Sequence, residues 1–245
     1  MSDSDNLIEM IERDPGRFDE HVGAFRTILE SDETDTRRTA TRLIGDVAEV
    51  DPEIGTRHPG LLELAFGDPD SVVRGLAVGI VAAITKTTPE IGADFVPQLS
   101  AVLTDEELTG SSQMDGIRAL GKIDRETSTS VSEADEALAT LLRDTNGHVR
   151  ETVAINLDDT VKAAPRAFPA MLKAFVSVLD DSEPEVRLHA AETLTIVAHE
   201  DVEAIEDIDM VLTGLKELRS DQVLPTERVE KMINITEVGA GYAEK

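Results

Sequence analysis

The sequence repeats one pattern about every 37 residues, and this repeat restricts the possible folds more than any other feature. Each copy has a short acidic turn, in most copies an arginine shortly after it, and then a run of small and aliphatic residues. Residues 68–84, DPDSVVRGLAVGIVAAI, show the pattern clearly. The turn aspartates are spaced 36 to 39 residues apart: Asp32, Asp68, Asp105, Asp144 and Asp181. A period of this length is typical of arrays in which each unit is a pair of helices.

The residues behind each turn predict the second helix of each pair. The arginines that open this helix are Arg37, Arg74, Arg150 and Arg187, and Gln113 takes the corresponding place in the third copy. Aliphatic residues recur at matching positions, as the burial of one helix face requires. One such row is Ile44, Val81, Leu120, Leu157 and Leu194. We therefore predict an all-α fold, an α-α superhelix (solenoid) of about six helical hairpins.

Where the turn reads D-x-x-x-V-R and is followed by A-x-x-x-L, the chain resembles the HEAT-repeat family. The resemblance is greatest to the short HEAT-like repeats of the phycobilisome-lyase type, and residues 66–81, 142–157 and 179–194 carry it best. The ankyrin signature T-P-L-H-x-A and the aromatic positions of tetratricopeptide repeats are missing. The resemblance implies a binding scaffold, but it does not identify a partner, because one fold hosts many functions.

Breaks in the hydrophobic pattern divide the chain into three predicted parts. Residues 1–18 are expected to hold an N-terminal capping helix, which a Pro-Gly step ends. Residues 19–238 are expected to form a single HEAT-like repeat array, and residues 239–245 a flexible tail. The last hairpin of the array is degenerate, with its helices near residues 208–218 and 226–238.

Charge and amino-acid usage indicate the environment of the protein. Fifty acidic residues against 23 basic ones give a net charge of −27, and aromatic residues make up only 3% of the chain. Such a composition, with few lysines, resembles the proteins of salt-accumulating archaea. In molar salt the Debye length falls to roughly 3 Å, which screens most surface repulsion. We interpret the chain as a halophilic, haloarchaeal protein, and an ordinary acidic cytosolic protein is the alternative.

Several classes of partner and location are disfavoured. Nucleic acid is not an expected partner, because phosphate binding needs clustered lysine and arginine and no basic run is present. The chain has no cysteine, which excludes disulfides and thiolate metal sites. The acidic N-terminus does not resemble a signal peptide, and the longest apolar run is far shorter than the ~20 residues of a membrane span. We therefore predict a cytoplasmic protein that does not contact a membrane.

No group of residues indicates catalysis, and no catalytic, metal-binding or cofactor-binding residue is predicted. His199 and Glu200 form one His-Glu pair, whereas HEAT-like deoxyhypusine hydroxylases bind iron through several. The resemblance to chromophore lyases extends to their repeat and not to a catalytic residue. We expect the chain not to be an enzyme, and a HEAT-like lyase or hydroxylase is the least favoured alternative.

The recurring aspartates and arginines have a structural interpretation. A turn aspartate can cap the following helix and interact with the positive end of its dipole. An arginine one turn into the helix can reach backbone carbonyls or the turn aspartate of the adjacent repeat. Because such regularity is expected of contacts between stacked units, we predict a stacking role rather than a ligand-binding one.

A protein-binding surface is predicted on the concave face, which the second helices of helical solenoids usually line. Aligned rows on this face place arginines around an apolar patch in the N-terminal half. The predicted partner-binding residues are Arg38, Arg42, Gly75, Val78, Gly79 and Arg118. They would suit an acidic or amphipathic segment of a protein partner, with the glycines permitting close approach.

Two alternatives to this interpretation stay open. Arg38 and Arg42 could pair with Asp46 and Glu49 along their own helix, while the glycines serve only tight helix packing. The array could also act as a regulatory or accessory subunit of an enzyme or signalling complex. The favoured function is a non-enzymatic interaction scaffold or adaptor that binds a protein partner.

Overall fold

The computed structural model describes residues 3–220 and 224–242, and every regular element in these two ranges is a helix. The fifteen α-helices found there are α1 (Asp3–Arg13), α2 (Val22–Leu29), α3 (Thr34–Val50), α4 (Ile54–Arg57), α5 (Pro59–Phe66), α6 (Ser71–Thr87), α7 (Pro89–Ala93), α8 (Val96–Val102), α9 (Gly110–Glu126), α10 (Asp135–Leu141), α11 (Gly147–Ala163), α12 (Pro169–Ser177), α13 (Pro184–Asp201), α14 (Ile208–Glu217) and α15 (Thr226–Gly239). Short 3-10 segments lie at Pro15–His21, Ser132–Ala134, Pro165–Ala167, Val202–Ala204 and Leu218–Ser220. The predicted all-α fold is confirmed.

The helices fall into two compact units, which divide the chain between Ser130 and Val131. Unit 1 contains the hairpins α2/α3, α5/α6 and α8/α9, with α1 ahead of them. Unit 2 contains α10/α11, α12/α13 and α14/α15. The described residues thus form six hairpins, and the division into residues 1–18, 19–238 and 239–245 stays a prediction. Residues 1–2 of the predicted N-terminal part and 243–245 of the predicted tail lie outside the described residues.

The second helix of each hairpin in unit 1 is the longer one and carries most of the packing. In this unit α6 packs between α3 and α9. Asp70 caps α6, because its side chain accepts a hydrogen bond from the backbone N–H of Val73. Pro89 follows the last residues of α6 and opens α7, as expected of a residue that cannot continue a helix. One face of α6 is fully buried by Val73, Ala77, Val81 and Ile84.

Unit 2 is built in the same way, with α13 packed between α11 and α15. Its core is again made of aliphatic residues with few aromatics, among them Leu157, Val161 and Leu194. Phe168, just before α12, and Phe175, within α12, are also buried. Across residues 3–220 and 224–242, no helix has both the length and the apolar character needed to cross a bilayer.

Candidate partner-binding groove

Three of the recurring arginines, Arg37, Arg74 and Arg150, join their repeat to the next one in the same unit. The guanidinium Nε of Arg37 lies 2.7 Å from Asp68 Oδ2, and its Nη1 donates to the carbonyl of Ser31 at 2.8 Å. The pairing recurs with a separation of 31 residues in both units: Arg37–Asp68, Arg74–Asp105 and Arg150–Asp181. The predicted contacts of these arginines with carbonyls and with the adjacent turn aspartate are confirmed. Their charges are used between repeats and are not available to a partner.

The turn aspartates do not cap the helices, so that prediction is wrong. Asp68 Oδ1 accepts the backbone N–H of Asp70 at 2.8 Å, which tightens the turn before the helix begins. The same contact to the residue two positions on recurs at Asp105, Asp144 and Asp181. The cap is a later residue, Asp70 at α6 or Thr109 at α9, because the turn aspartate lies too far upstream of the first helical N–H groups.

A groove of about 620 Å³ lies over the side of unit 1 that α3, α6 and α9 form. Its floor is apolar and comes from α6: Val72, Gly75, Leu76, Gly79, Ile80 and Ala83. Its charged rim is mostly acidic, with Asp46 and Glu49 from α3 and Glu107 and Asp115 from the α9 side. Arg42 of α3 contributes a positive charge. An apolar floor with a charged rim can hold an extended or helical segment by burying its apolar side chains.

Three of the predicted residues, Arg42, Gly75 and Gly79, line this groove. The Arg42 side chain is exposed. Within residues 3–220 and 224–242 it forms no ion pair, and neither do Asp46 and Glu49. The predicted alternative, pairing of Arg42 with these two residues along α3, is therefore not observed. Arg42 is the groove-lining arginine whose charge remains available.

Arg38 has a different role. Its Nε and Nη2 bind the two carboxylate oxygens of Asp70 at 2.9 and 2.7 Å, and its Nη1 lies 3.5 Å from Asp35. The hydrogen bond from Arg38 and that from the N–H of Val73 together lower the pKa of Asp70 to about 2, against the effect of partial burial. Arg38 thus ties α3 to the turn before α6, and it does not line the groove.

Val78 is not part of the surface, and its assignment to the binding site is corrected. Its side chain is 0% exposed. Its Cγ1 would lie 3.2 Å from a Cβ placed on Gly116, so it packs where α6 meets α9. Val78 is three residues after Gly75 and one before Gly79. Because each helical residue turns the side-chain direction by about 100°, the Val78 side chain points to the neighbouring helix rather than outward.

Arg118 lies in a second crevice, of about 420 Å³, between α6 and α9. Its Nη1 is 3.2 Å from Asp115 Oδ1 on its own helix. Two lysines, Lys86 and Lys122, line the same crevice. The groove and the crevice share Gly79, Ala83 and Asp115, so they form one continuous surface of unit 1. We refer to them below as the acidic groove and the basic crevice.

The two glycines of α6 differ in what surrounds them. A Cβ on Gly75 would lie 2.9 Å from Ser112 Oγ, so close packing against α9 accounts for this glycine. A Cβ on Gly79 would have no atom within 4 Å. A glycine inside a helix costs roughly 1 kcal/mol relative to alanine. The packing of the described chain does not account for that cost at Gly79.

The sequence reasoning missed most of the acidic rim. Asp46 and Glu49 lie four and seven residues after Arg42, so the spacing rule for one helix face could have found them. Glu107 lies in the turn before α9, outside a helix, so helical spacing could not predict its position. It reaches the rim because it pairs with Arg74 at 3.3 Å, a contact between residues far apart in the chain.

Unit 2 contains a small cluster of titratable residues between α11 and α13. Asp158 Oδ2 lies 2.8 Å from His189 Nδ1 and accepts a hydrogen bond from Lys162 Nζ at 2.9 Å. The hydrogen bond to Asp158 raises the pKa of His189. Burial alone would raise the pKa of Asp158, but His189 and Lys162 lower it. Among the described residues, no group of three or more histidines and carboxylates has the arrangement of a metal site.

Comparison with known proteins gives structural matches alone. No protein-family model matches the chain. No curated protein matches it. Solved structures do match, and they include a designed armadillo repeat protein in complex with the peptide (KR)4, with a TM-score of 0.62 and 17% identity over 90% of this chain and 98% of the other.

Two further structures extend this likeness. A computationally designed armadillo repeat protein for modular peptide recognition has a TM-score of 0.59 and 18% identity over 88% of this chain and 98% of its own. A chain of the Pds5–Scc1 complex has a TM-score of 0.51 and 12% identity, and the match covers 94% of this chain and 38% of the other. At such identities the likeness shows the fold, which is that of the armadillo and HEAT-like helical repeats.

Proposed function

We propose that the chain is a non-enzymatic scaffold or adaptor that binds a protein partner in the acidic groove of unit 1. The observation that carries this proposal is Gly79, whose missing side chain leaves an open floor that the chain itself does not fill. Val72, two turns before Gly79 on the same groove, is 40% exposed, so the floor offers apolar surface to a partner. Burying that surface would supply much of the binding free energy.

Two of the similar solved structures contain partners, which supports the proposal by analogy. One holds the peptide (KR)4, and another is the Pds5–Scc1 complex. In this chain we propose an amphipathic segment of a partner protein, with acidic side chains directed to Arg118. A partner that is itself an enzyme or signalling complex would make the chain its regulatory or accessory subunit.

The wider setting is part of the same proposal. We propose a cytoplasmic, halophilic protein of haloarchaeal type, with HEAT-like repeats related to those of the phycobilisome-lyase family. The net charge of −27 supports the halophilic assignment, because molar salt would screen its repulsion. The repeats at residues 142–157 and 179–194 support the family assignment.

The test fills the groove without disturbing the fold. Gly79→Gln places a neutral side chain on the open floor, and Gly23→Gln is the matched control, because a Cβ on Gly23 also meets no atom within 4 Å. Tagged wild-type protein and both variants are used for affinity purification in high salt, followed by quantitative mass spectrometry. We expect proteins recovered by the wild type and by Gly23→Gln to be lost with Gly79→Gln. Equal recovery by all three, with neither variant melting below the wild type, would overturn the proposal.

A further inference from the structure

The charges across the surface of unit 1 change sign from one helix to the next. On α3, the two carboxylates of Asp46 and Glu49 outnumber Arg42 at the rim of the acidic groove, so this side carries net negative charge. On the far side, Arg118 and Lys122 of α9 line the basic crevice and outnumber Asp115 of the same helix. Between them α6 contributes small residues: Gly79 and Ala83 line both the groove and the crevice, and Ala82 lines the crevice. The surface therefore has a negative side, a smooth centre and a positive side.

Three of these residues occupy the same place in successive repeats. Asp46, Ala83 and Lys122 are each the thirteenth residue of their helix, α3, α6 and α9 respectively. Asp46 and Ala83 line the acidic groove together, and Ala83 and Lys122 line the basic crevice together. A segment that crosses the three helices at this level would meet an acid, then a methyl group, then an ammonium group.

The positive side is open to a carboxylate from outside the chain. Lys86 is exposed and makes no ion pair within the described ranges. Lys122 pairs with Glu126 at 2.6 Å, and Arg118 with Asp115 at 3.2 Å, both along α9. Exposed pairs of this kind contribute little free energy, typically less than about 1 kcal/mol. A partner carboxylate that is partly desolvated in the crevice can therefore replace them.

We propose that this surface selects a partner segment with two charged ends, a basic end over α3 and an acidic end in the basic crevice. This inference rests on the proposed function and specifies the partner of the same site. Neighbouring packed helices lie about 8–10 Å apart, so α3 and α9 are separated by roughly 16–20 Å. An extended chain rises about 3.3 Å per residue, so the two charged ends are about five or six residues apart. The residues between them are apolar and lie over Gly79 and Ala83.

The probes are two fluorescein-labelled peptides of about eight residues and identical composition. The block peptide has two lysines at one end, two glutamates at the other and four alanine or leucine residues between. In the scrambled peptide the lysines and glutamates alternate. Binding is measured by fluorescence anisotropy at the lowest salt that preserves the native far-UV circular dichroism spectrum, because screening weakens exposed charge pairs. We expect the block peptide to bind at least about fivefold more tightly than the scrambled one.

Protein variants then locate each end of the block peptide. We expect Lys122→Gln to weaken its binding about three- to fivefold, and this loss to disappear when the peptide glutamates are replaced by glutamine. Asp46→Asn should show the opposite dependence, with a loss that disappears when the peptide lysines are replaced. Lys173→Gln is the matched control, since it removes an exposed lysine of unit 2 that pairs with Glu206.

Three results would overturn the inference. They are equal affinity for the two peptides, no binding of the block peptide at about 1 mM, or losses that do not depend on which peptide charges are present. The purification with Gly79→Gln is independent of these peptides. Partner recovery that depends on the groove, together with any of the three results, would leave the proposed function in place and reject the two-ended segment.

Discussion

At the scale of single residues, the structure separates arginines that hold repeats together from arginines that face solvent. Arg37 and Asp68 have side chains that are only 8% and 4% exposed, and their two-point contact spans consecutive repeats. The hydrogen bond to Asp68 raises the pKa of Arg37 above its ordinary value. Arg118, by contrast, has a side chain that is 55% exposed and pairs along its own helix.

This difference predicts that replacing arginine with methionine lowers stability more at residue 37 than at residue 118. We expect Arg37→Met to lower the free energy of unfolding by about 3–5 kcal/mol, because it leaves the Asp68 carboxylate buried without an opposite charge. The control Arg118→Met should cost less than about 1 kcal/mol, since solvent replaces its contact. Urea denaturation followed by circular dichroism measures both. Similar losses in the two variants would show that the buried pair has no special role in stacking.

At the scale of helices, glycines mark two different needs. Gly239, at the end of α15, lies so close to α13 that an added Cβ would overlap the backbone carbonyl of Ala198. Gly116 of α9 is similarly confined, because its Cβ would lie 2.6 Å from Leu103 Cδ2. Small residues thus let the helices approach, which suits a core with few aromatic side chains. Gly79 of α6 has no such neighbour and belongs to the open surface.

Alanine substitution should therefore change stability in opposite directions. We expect Gly79→Ala to raise the free energy of unfolding by about 1 kcal/mol, because it restores helix propensity without a clash. Gly239→Ala should lower it by about 1–3 kcal/mol, since backbone atoms of α13 would have to move. Thermal melting of both variants beside the wild type gives the two signs. A destabilised Gly79→Ala would mean that this site is packed after all.

At the scale of the whole molecule, the net charge of −27 opposes compaction unless ions screen it. Fifty acidic side chains cannot all be paired by 23 basic ones. Many of the pairs that form, such as Arg13–Glu9 and Arg17–Glu20, are exposed and contribute little. The repulsion that remains is spread over the surface and depends on ionic strength.

We expect the melting temperature to rise steeply between about 0.1 M and 2 M KCl, as the Debye length falls from about 10 Å to below 3 Å. Differential scanning fluorimetry with an environment-sensitive dye can follow the transition. Sucrose at matched osmolality is the control, because it stabilises by exclusion without screening charge. A melting temperature that rises equally in both solutes, or in neither, would contradict a halophilic adaptation.

Much of the fold could be predicted because the same local sequence pattern recurs in each repeat. The period of about 37 residues and the helical spacing of apolar residues predicted six hairpins, and the positions of Arg37, Arg74 and Arg150 predicted contacts between repeats. These features depend on the direction of a side chain relative to its own helix, which sequence spacing specifies. The prediction that Asp68 caps α6 was wrong, because the cap is Asp70. The repeat period is the same for either residue, so the period could not distinguish them.

Which residues belong to the proposed binding surface depends on the tertiary structure. Helical spacing placed Gly75, Val78 and Gly79 on adjoining parts of one face, yet Val78 is buried, Gly75 is packed and Gly79 is open. The outcome depends on which neighbouring helix covers each position, and that follows from how the helices cross. The repeats, their helices and the arginines that join neighbouring repeats follow from spacing in the sequence. The structure decided which residues are left for a partner, because contacts between repeats consume some charges and leave others exposed.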